Sequence, residues 1–151
     1  MKLAIVIPAL NEEQSIESTI LRTLNSEKLI CKDSGIDSVS IVVVSDGSTD
    51  NTVSIASKYT GRIKLVVFEK NRGYGCAIKE GWNAVPDAEL RAFLDADGTG
   101  NPDFFVDLCS LFIKEGADIA FGSRLGKQSE MPAVRRICNT GYSVLLSIIS
   151  S

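Results

Sequence analysis

Short apolar runs alternate along the chain with longer stretches in which apolar positions recur every three or four residues. The runs Leu3–Ile7, Val39–Ser45, Ile63–Phe68, Arg91–Asp95 and Asp118–Phe121 are rich in β-branched residues or phenylalanine, which predicts strands. Between them the spacing becomes helical. Ile16, Ile20, Leu21 and Leu24 form one stripe, and Val53, Ile55, Ala56 and Tyr59 a shorter one. Cys76–Val85 and Phe104–Ile113 predict two further helices. Asn11 with Gln14 predicts a capping box for the first helix, Asp50 a cap for the second, and Asn101-Pro102 a cap followed by proline at the first turn of the fourth.

Strands that alternate with helices and are apolar on both faces predict an α/β fold. The expected form is a mostly parallel sheet, helices on both faces and right-handed crossovers. With strand order 3-2-1-4 the topological switch point falls between the first and fourth strands, and ligands bind there, at the carboxyl ends.

The stretch after Gly122 has a different character. Gly122-Ser123-Arg124 reads as a turn and Lys127–Glu130 as a polar loop. Pro132 opens an amphipathic helix carrying Val134, Ile137, Cys138, Tyr142, Leu145, Leu146, Ile148 and Ile149. More apolar surface is present than a lone helix exposes, so this helix packs on its own sheet, packs on further chain, or lies at a membrane interface. Two segments of one domain are therefore expected: residues 1–121 as an α/β ligand-binding part and 122–151 as a basic loop and interface helix.

Charge sharpens this division. Arg124, Lys127, Arg135 and Arg136 stand against Glu130 alone, a balance of +3; with a total of −3, the first 121 residues carry −6. A chain with a pI near 5.0 and an acidic body argues against nucleic acid as a partner, while the basic tail suits an anionic one. The chain has no histidine. Ser-His-Asp and Cys-His catalysis, histidine-ligated zinc and a histidine pH switch are thereby excluded. Cys31, Cys76, Cys109 and Cys138 form no C-x-x-C pair, which fits reduced thiols in a cytoplasmic domain. Leu3–Ile7 is too short for a signal segment, and no window approaches the roughly 18 apolar residues of a spanning helix.

Four motifs carry candidate chemistry, each at the end of a predicted strand. Asp95-Ala96-Asp97-Gly98 sets two carboxylates one residue apart, a pattern that holds a hard cation such as Mg²⁺ or Mn²⁺ and leaves positions for diphosphate oxygens. The competing reading is an Asx turn, which Asp-Gly also favours. In Ser45-Asp46-Gly47-Ser48-Thr49-Asp50, Asp50 suits a helix cap, whereas Asp46 is left to accept hydrogen bonds from a base or ribose. Pro8-Ala9-Leu10-Asn11-Glu12 replaces the glycine-rich turn of a dinucleotide-binding domain; its backbone suits a nucleobase and Glu12 a ribose. Asn71-Arg72-Gly73-Tyr74-Gly75 permits close backbone approach, with Arg72 to offset negative charge. The sheet order brings the four together.

This ordered set resembles the family 2 inverting glycosyltransferases of GT-A fold. With Phe121-Gly122-Ser123-Arg124 and the basic helix, it is similar to their dolichol-phosphate mannosyltransferase-like branch. The resemblance implies that Pro8, Ala9, Glu12 and Asp46 hold the nucleoside of a GDP- or UDP-linked sugar, with Leu10, Asn11, Gly73 and Ala96 in the same binding set. It implies that Asp95 and Asp97 hold Mg²⁺ or Mn²⁺ on the diphosphate, and that Arg124, Arg135 and Arg136 meet the phosphate of a polyprenyl acceptor. Asp95, Asp97 and Arg124 are the expected catalytic residues. Members of this branch continue well beyond the amphipathic helix, so a truncated chain is expected. It would act at the cytoplasmic face of a membrane through residues 132–151, with self-association through the apolar final turns. The rival readings are transfer to a carbohydrate hydroxyl, a nucleotidyltransferase, and a nucleotide-sugar-binding module without turnover.

Overall fold

The computed structural model describes residues 1–120 and Gly122. Eight elements follow in strict alternation: β1 (Lys2–Ala9), α1 (Ile16–Asp33), β2 (Ser38–Asp46), α2 (Thr52–Ser57), β3 (Lys64–Phe68), α3 (Tyr74–Asn83), β4 (Leu90–Phe93) and α4 (Phe104–Glu115). The strands pair in parallel in the order β3-β2-β1-β4, as the alternation predicts.

The two-residue side-chain period of a strand divides the core between two faces. On β1, Ile7 and Ala9 pack with Ile16, Ile20 and Leu24 of α1. Leu3 and Ile5 pack with Ile30 of α1 and with Phe105 and Cys109 of α4. Ala4 and Val6 face the other way, with Val42 and Val44 of β2 and Ala77 of α3. Helix α3 comes very close to that face: a Cβ placed on Gly81 would lie 2.5 Å from Val6 Cγ1.

The strands differ in length where it matters. Ala9, the last residue of β1, pairs with Ser45 of β2, but β4 ends at Phe93, opposite Val6. One last ladder bond joins Leu94 N–H to the Val6 carbonyl at 2.9 Å. Pro8 shares the parity of Val6, so the N–H it lacks would have pointed to the side that β4 has already left. Proline costs no hydrogen bond there.

Three expectations are corrected. Residues 118–120 form no strand, and Ile119 is 66% exposed; among the described residues nothing pairs with this run, and an isolated strand leaves its backbone unsatisfied. Phe121, the end of that run, lies outside the described residues. Helix α1 begins at Ile16 with Ser15 at its cap, not at Asn11. Asp103, two residues beyond Asn101, is at the cap of α4, and Asn101 Oδ1 accepts the Asp103 N–H at 3.2 Å.

Candidate functional site

The loops that leave the four strands meet at the carboxyl edge of the sheet. They enclose a cleft of ≈ 280 Å³ lined by Pro8, Ala9, Leu10 and Glu12 from the first loop, Asp46 from the end of β2, Asn71, Gly73, Tyr74 and Ala77 from the third loop and α3, and Asp95, Ala96 and Asp97 from the fourth. The expected convergence at the switch point is therefore present. Four of these residues are carboxylates and none is lysine or arginine.

Asp46 is 4% exposed. Its Oδ1 accepts the Arg72 N–H at 2.7 Å and its Oδ2 the Gly73 N–H at 2.9 Å. The carboxylate thus holds the third loop by its backbone, and the charge-assisted bonds keep a buried anion satisfied. Gly47 makes this approach possible. Its φ is +77°, and an added Cβ would stand 2.4 Å from Asn71 N and 2.6 Å from the Lys70 carbonyl carbon. Arg72 itself does not line the cleft; its guanidinium lies 4.5 Å over the Phe68 ring, a cation–π contact.

The first two loops are stapled to each other. Asn11, at φ 56°, accepts the Thr49 N–H on Oδ1 at 2.8 Å, and its own N–H donates to Ser48 Oγ at 3.1 Å. Glu12 N–H donates to Thr52 Oγ1 at 2.8 Å, and Glu13 N–H to Asp50 Oδ2 at 3.0 Å. Asn51 returns two bonds to Glu13 Oε2. The Asn11 side chain is thus spent on the neighbouring loop, and Asn11 is absent from the cleft lining, unlike the expected binding set. Asp50 sits one residue before the formal cap of α2, Asn51, yet receives the Thr52 N–H at 2.9 Å and the Thr52 hydroxyl at 2.5 Å.

Desolvation raises the Asp50 carboxyl, but the hydrogen bonds from Thr52 and Glu13 outweigh it and leave the group below the usual aspartate range. A lowered folded-state value means that the staple contributes stability above the ordinary aspartate pKa and loses it as pH falls through the lowered one. In an acid titration by NMR, the amide resonances of Glu13 and Thr52 should move together, with one midpoint below that of a free aspartate. Separate midpoints, or a common one at the ordinary value, would dissolve the staple.

At the opposite wall, Asp95 Oδ1 accepts the Tyr74 hydroxyl at 2.5 Å, and the Tyr74 ring meets Phe93 edge-on at 6.1 Å. Burial raises the Tyr74 phenol and the bond to Asp95 raises it further, so tyrosine stays a proton donor to the carboxylate. Asp97 Oδ1 accepts the Thr99 N–H at 2.9 Å and the Thr99 hydroxyl at 2.8 Å. The turn that competed with the metal reading is thus formed, and both carboxylates still line the cleft. From sequence alone Tyr74 has no role beyond its place in the fourth motif; an aromatic hydroxyl at the start of the helix after the glycine turn is the signal that points to it. Arg124, Arg135 and Arg136, Cys138 and the helix from Pro132 lie outside the described residues.

An open parallel sheet with a cleft at its switch point defines an α/β domain that offers a ligand site at the carboxyl ends of its strands. The sequence model of glycosyl transferase family 2 matches residues 4–142, and the chain belongs to that family. Among its relatives, the dolichyl-phosphate β-glucosyltransferase of Drosophila melanogaster is 36% identical over 93% of this chain and 46% of its own length. The dolichol-phosphate mannosyltransferase of Pyrococcus furiosus is 30% identical over 93% of this chain and 39% of its own. The undecaprenyl-phosphate 4-deoxy-4-formamido-L-arabinose transferase of Yersinia enterocolitica is 32% identical over 86% and 39%. The chain spans about half the length of such relatives or less.

Solved structures share the fold. TarS 1–349 of S. aureus superposes with a TM-score of 0.58 at 24% identity, over 85% of this chain and 40% of that one. The mannosyltransferase PcManGT of Pyrobaculum calidifontis, solved with GDP-Man and Mn²⁺, gives 0.56 at 21% identity, over 73% and 32%. Among the described residues no helix is long and apolar enough to cross a membrane.

Proposed function

We propose that the chain is the donor-binding part of a glycosyltransferase that passes a sugar from a nucleoside-diphosphate sugar to a polyprenyl phosphate, with inversion at the anomeric carbon. The observation that carries this reading is the cleft itself: four carboxylates and no cation among its lining residues. Such a surface repels a diphosphate unless a cation comes with it. The donor set fits one. Asp95 and Asp97 offer only hard oxygen, and the described residues hold no cluster of three or more His, Cys, Asp or Glu that would cage an ion alone. Mg²⁺ or Mn²⁺ held this way keeps positions for diphosphate oxygens and water. When bound, the cation offsets charge that develops on the departing nucleoside diphosphate.

The chain's own residues do the rest. Asp46 fixes the third loop as one wall, the stapled Pro8–Glu12 loop forms the opposite wall for the nucleoside, and Tyr74 orients Asp95. A polyprenyl phosphate needs no general base, because a phosphomonoester is already anionic at pH 7; a chain without histidine suits it. The three relatives named above are dolichyl-, dolichol- or undecaprenyl-phosphate transferases. Residues 122–151, with Arg124, Arg135 and Arg136, form the acceptor-facing segment at the cytoplasmic face of the membrane, and 1–121 the donor segment.

Calorimetry with UDP and GDP tests the donor half. One of the two should bind, about tenfold more tightly with Mn²⁺ present, ~1.4 kcal/mol. Incubation with labelled sugar nucleotides, a polyprenyl phosphate and a carbohydrate acceptor tests the acceptor half. A labelled product that partitions with lipid is expected; a glycosylated carbohydrate, release of pyrophosphate, or binding without turnover would replace this reading with one of its rivals.

A further inference from the structure

Helix α1 reaches under the fourth loop with two side chains one turn apart. Thr19, 2% exposed, donates its hydroxyl to the Ala96 carbonyl at 3.1 Å. Arg22, half-buried, donates from Nη1 to the Gly98 carbonyl at 2.8 Å and from Nη2 to the Gly100 carbonyl at 2.9 Å. Residues i and i+3 of a helix share a face, and here that face meets alternate carbonyls of the loop. Asp97 lies between two of the anchored carbonyls, those of Ala96 and Gly98.

The loop needs such support. It carries two glycines, and Gly98 stands at φ +75°, where glycine moves more freely than any other residue. Two carboxylates that must share one ion lose affinity when the peptide between them can rotate. The planar guanidinium spans two carbonyls at a fixed separation, which an ammonium group does not.

We propose that Arg22 and Thr19 are positioning residues: they lock the Asp95–Gly100 backbone so that Asp95 and Asp97 present a fixed pair of ligands to the divalent cation. The proposal rests on the reading that those two aspartates bind the cation. It adds a second set of determinants on the far side of the loop, residues that do not line the cleft.

The test uses Mn²⁺ as the probe, with electron paramagnetic resonance to count free ion and calorimetry with UDP and GDP, each with and without Mn²⁺. Arg22→Met keeps much of the stem and removes the fork, Arg22→Lys keeps the charge, and Thr19→Val keeps the shape without the hydroxyl. Loss of a group that orients a metal ligand typically weakens metal binding 10- to 100-fold. Mn²⁺ affinity of the nucleotide complex should fall by about tenfold or more in Arg22→Met and Arg22→Lys and by less in Thr19→Val, with metal-free nucleotide affinity unchanged in all three. If Arg22→Met unfolds, Arg22→Lys and Thr19→Val carry the test. Full Mn²⁺ affinity in Arg22→Lys would overturn the fork. An equal loss with and without metal would reduce the clamp to general scaffolding and overturn the proposal. Should wild type gain from Mn²⁺, Asp97→Asn lose that gain, and the Arg22 variants keep it, only this inference falls. A wild type indifferent to Mn²⁺ removes the function reading and the inference together.

Discussion

Replacing Gly47 with alanine should abolish nucleotide binding and lower the thermal midpoint by roughly 10 °C, about 3 kcal/mol for a chain of this size. Two costs combine. The backbone there sits at φ +77°, where a side chain is strained, and the new Cβ would press on the Lys70 and Asn71 backbone at 2.6 and 2.4 Å. Backbone cannot swing aside as a long side chain would, so the third loop must retreat. The Arg72 and Gly73 amides then leave Asp46, and a buried carboxylate loses two donors. Gly61→Ala is the control, because nothing lies within 4 Å of its added Cβ; its midpoint and binding should match wild type. A Gly47→Ala protein that melts and binds normally would show that the loop contact is dispensable.

Asp97→Asn should leave the fold intact and erase the effect of the metal. The amide oxygen can still accept the Thr99 N–H and hydroxyl, which hold the local turn, so the midpoint should stay within a few degrees. What disappears is the negative charge and a hard oxygen ligand. The roughly tenfold tightening of nucleotide binding by Mn²⁺ should fall to a factor of about one, since loss of a direct ligand costs at least the ~10-fold in metal affinity that loss of an outer-shell partner does. Calorimetry of both proteins with and without Mn²⁺ reads this directly, and equal gains in the two would take Asp97 out of the metal site.

Much of this is legible in the sequence itself. The parallel sheet followed from strands apolar on both faces alternating with helices, the register of β1 and β2 bears it out residue by residue, and the doubly wound order taken with it is the one observed. The convergence of Pro8–Glu12, Asp46, Gly73 and Asp95–Asp97 followed from that order. The misreadings share one cause. Asn11 and Asp50 were read for their nearest helix, but Asn11 found its partner 38 residues away in Thr49, and Asp50 divided itself between Thr52 and Glu13. Local capping rules do not see a loop that folds back beside its owner. The clamp from Arg22 was equally invisible, since an arginine on an amphipathic helix reads as solvated until the chain some 76 residues later arrives beneath it. Residues 118–120 had the composition of a strand but no neighbour among the described residues to complete a ladder.

The early end of β4 has a consequence for how this cleft can evolve or be engineered. Three residues separate Val6, where β4 stops, from Ala9, where β1 stops, a step of about 10 Å at the rise of a strand. The recess is made by withholding hydrogen bonds rather than by hollowing the interior, so its size is set by where a ladder ends and not by the volume of any buried side chain. Loop sequences can therefore be exchanged at this step to suit different ligands while the layers beneath keep the same packing.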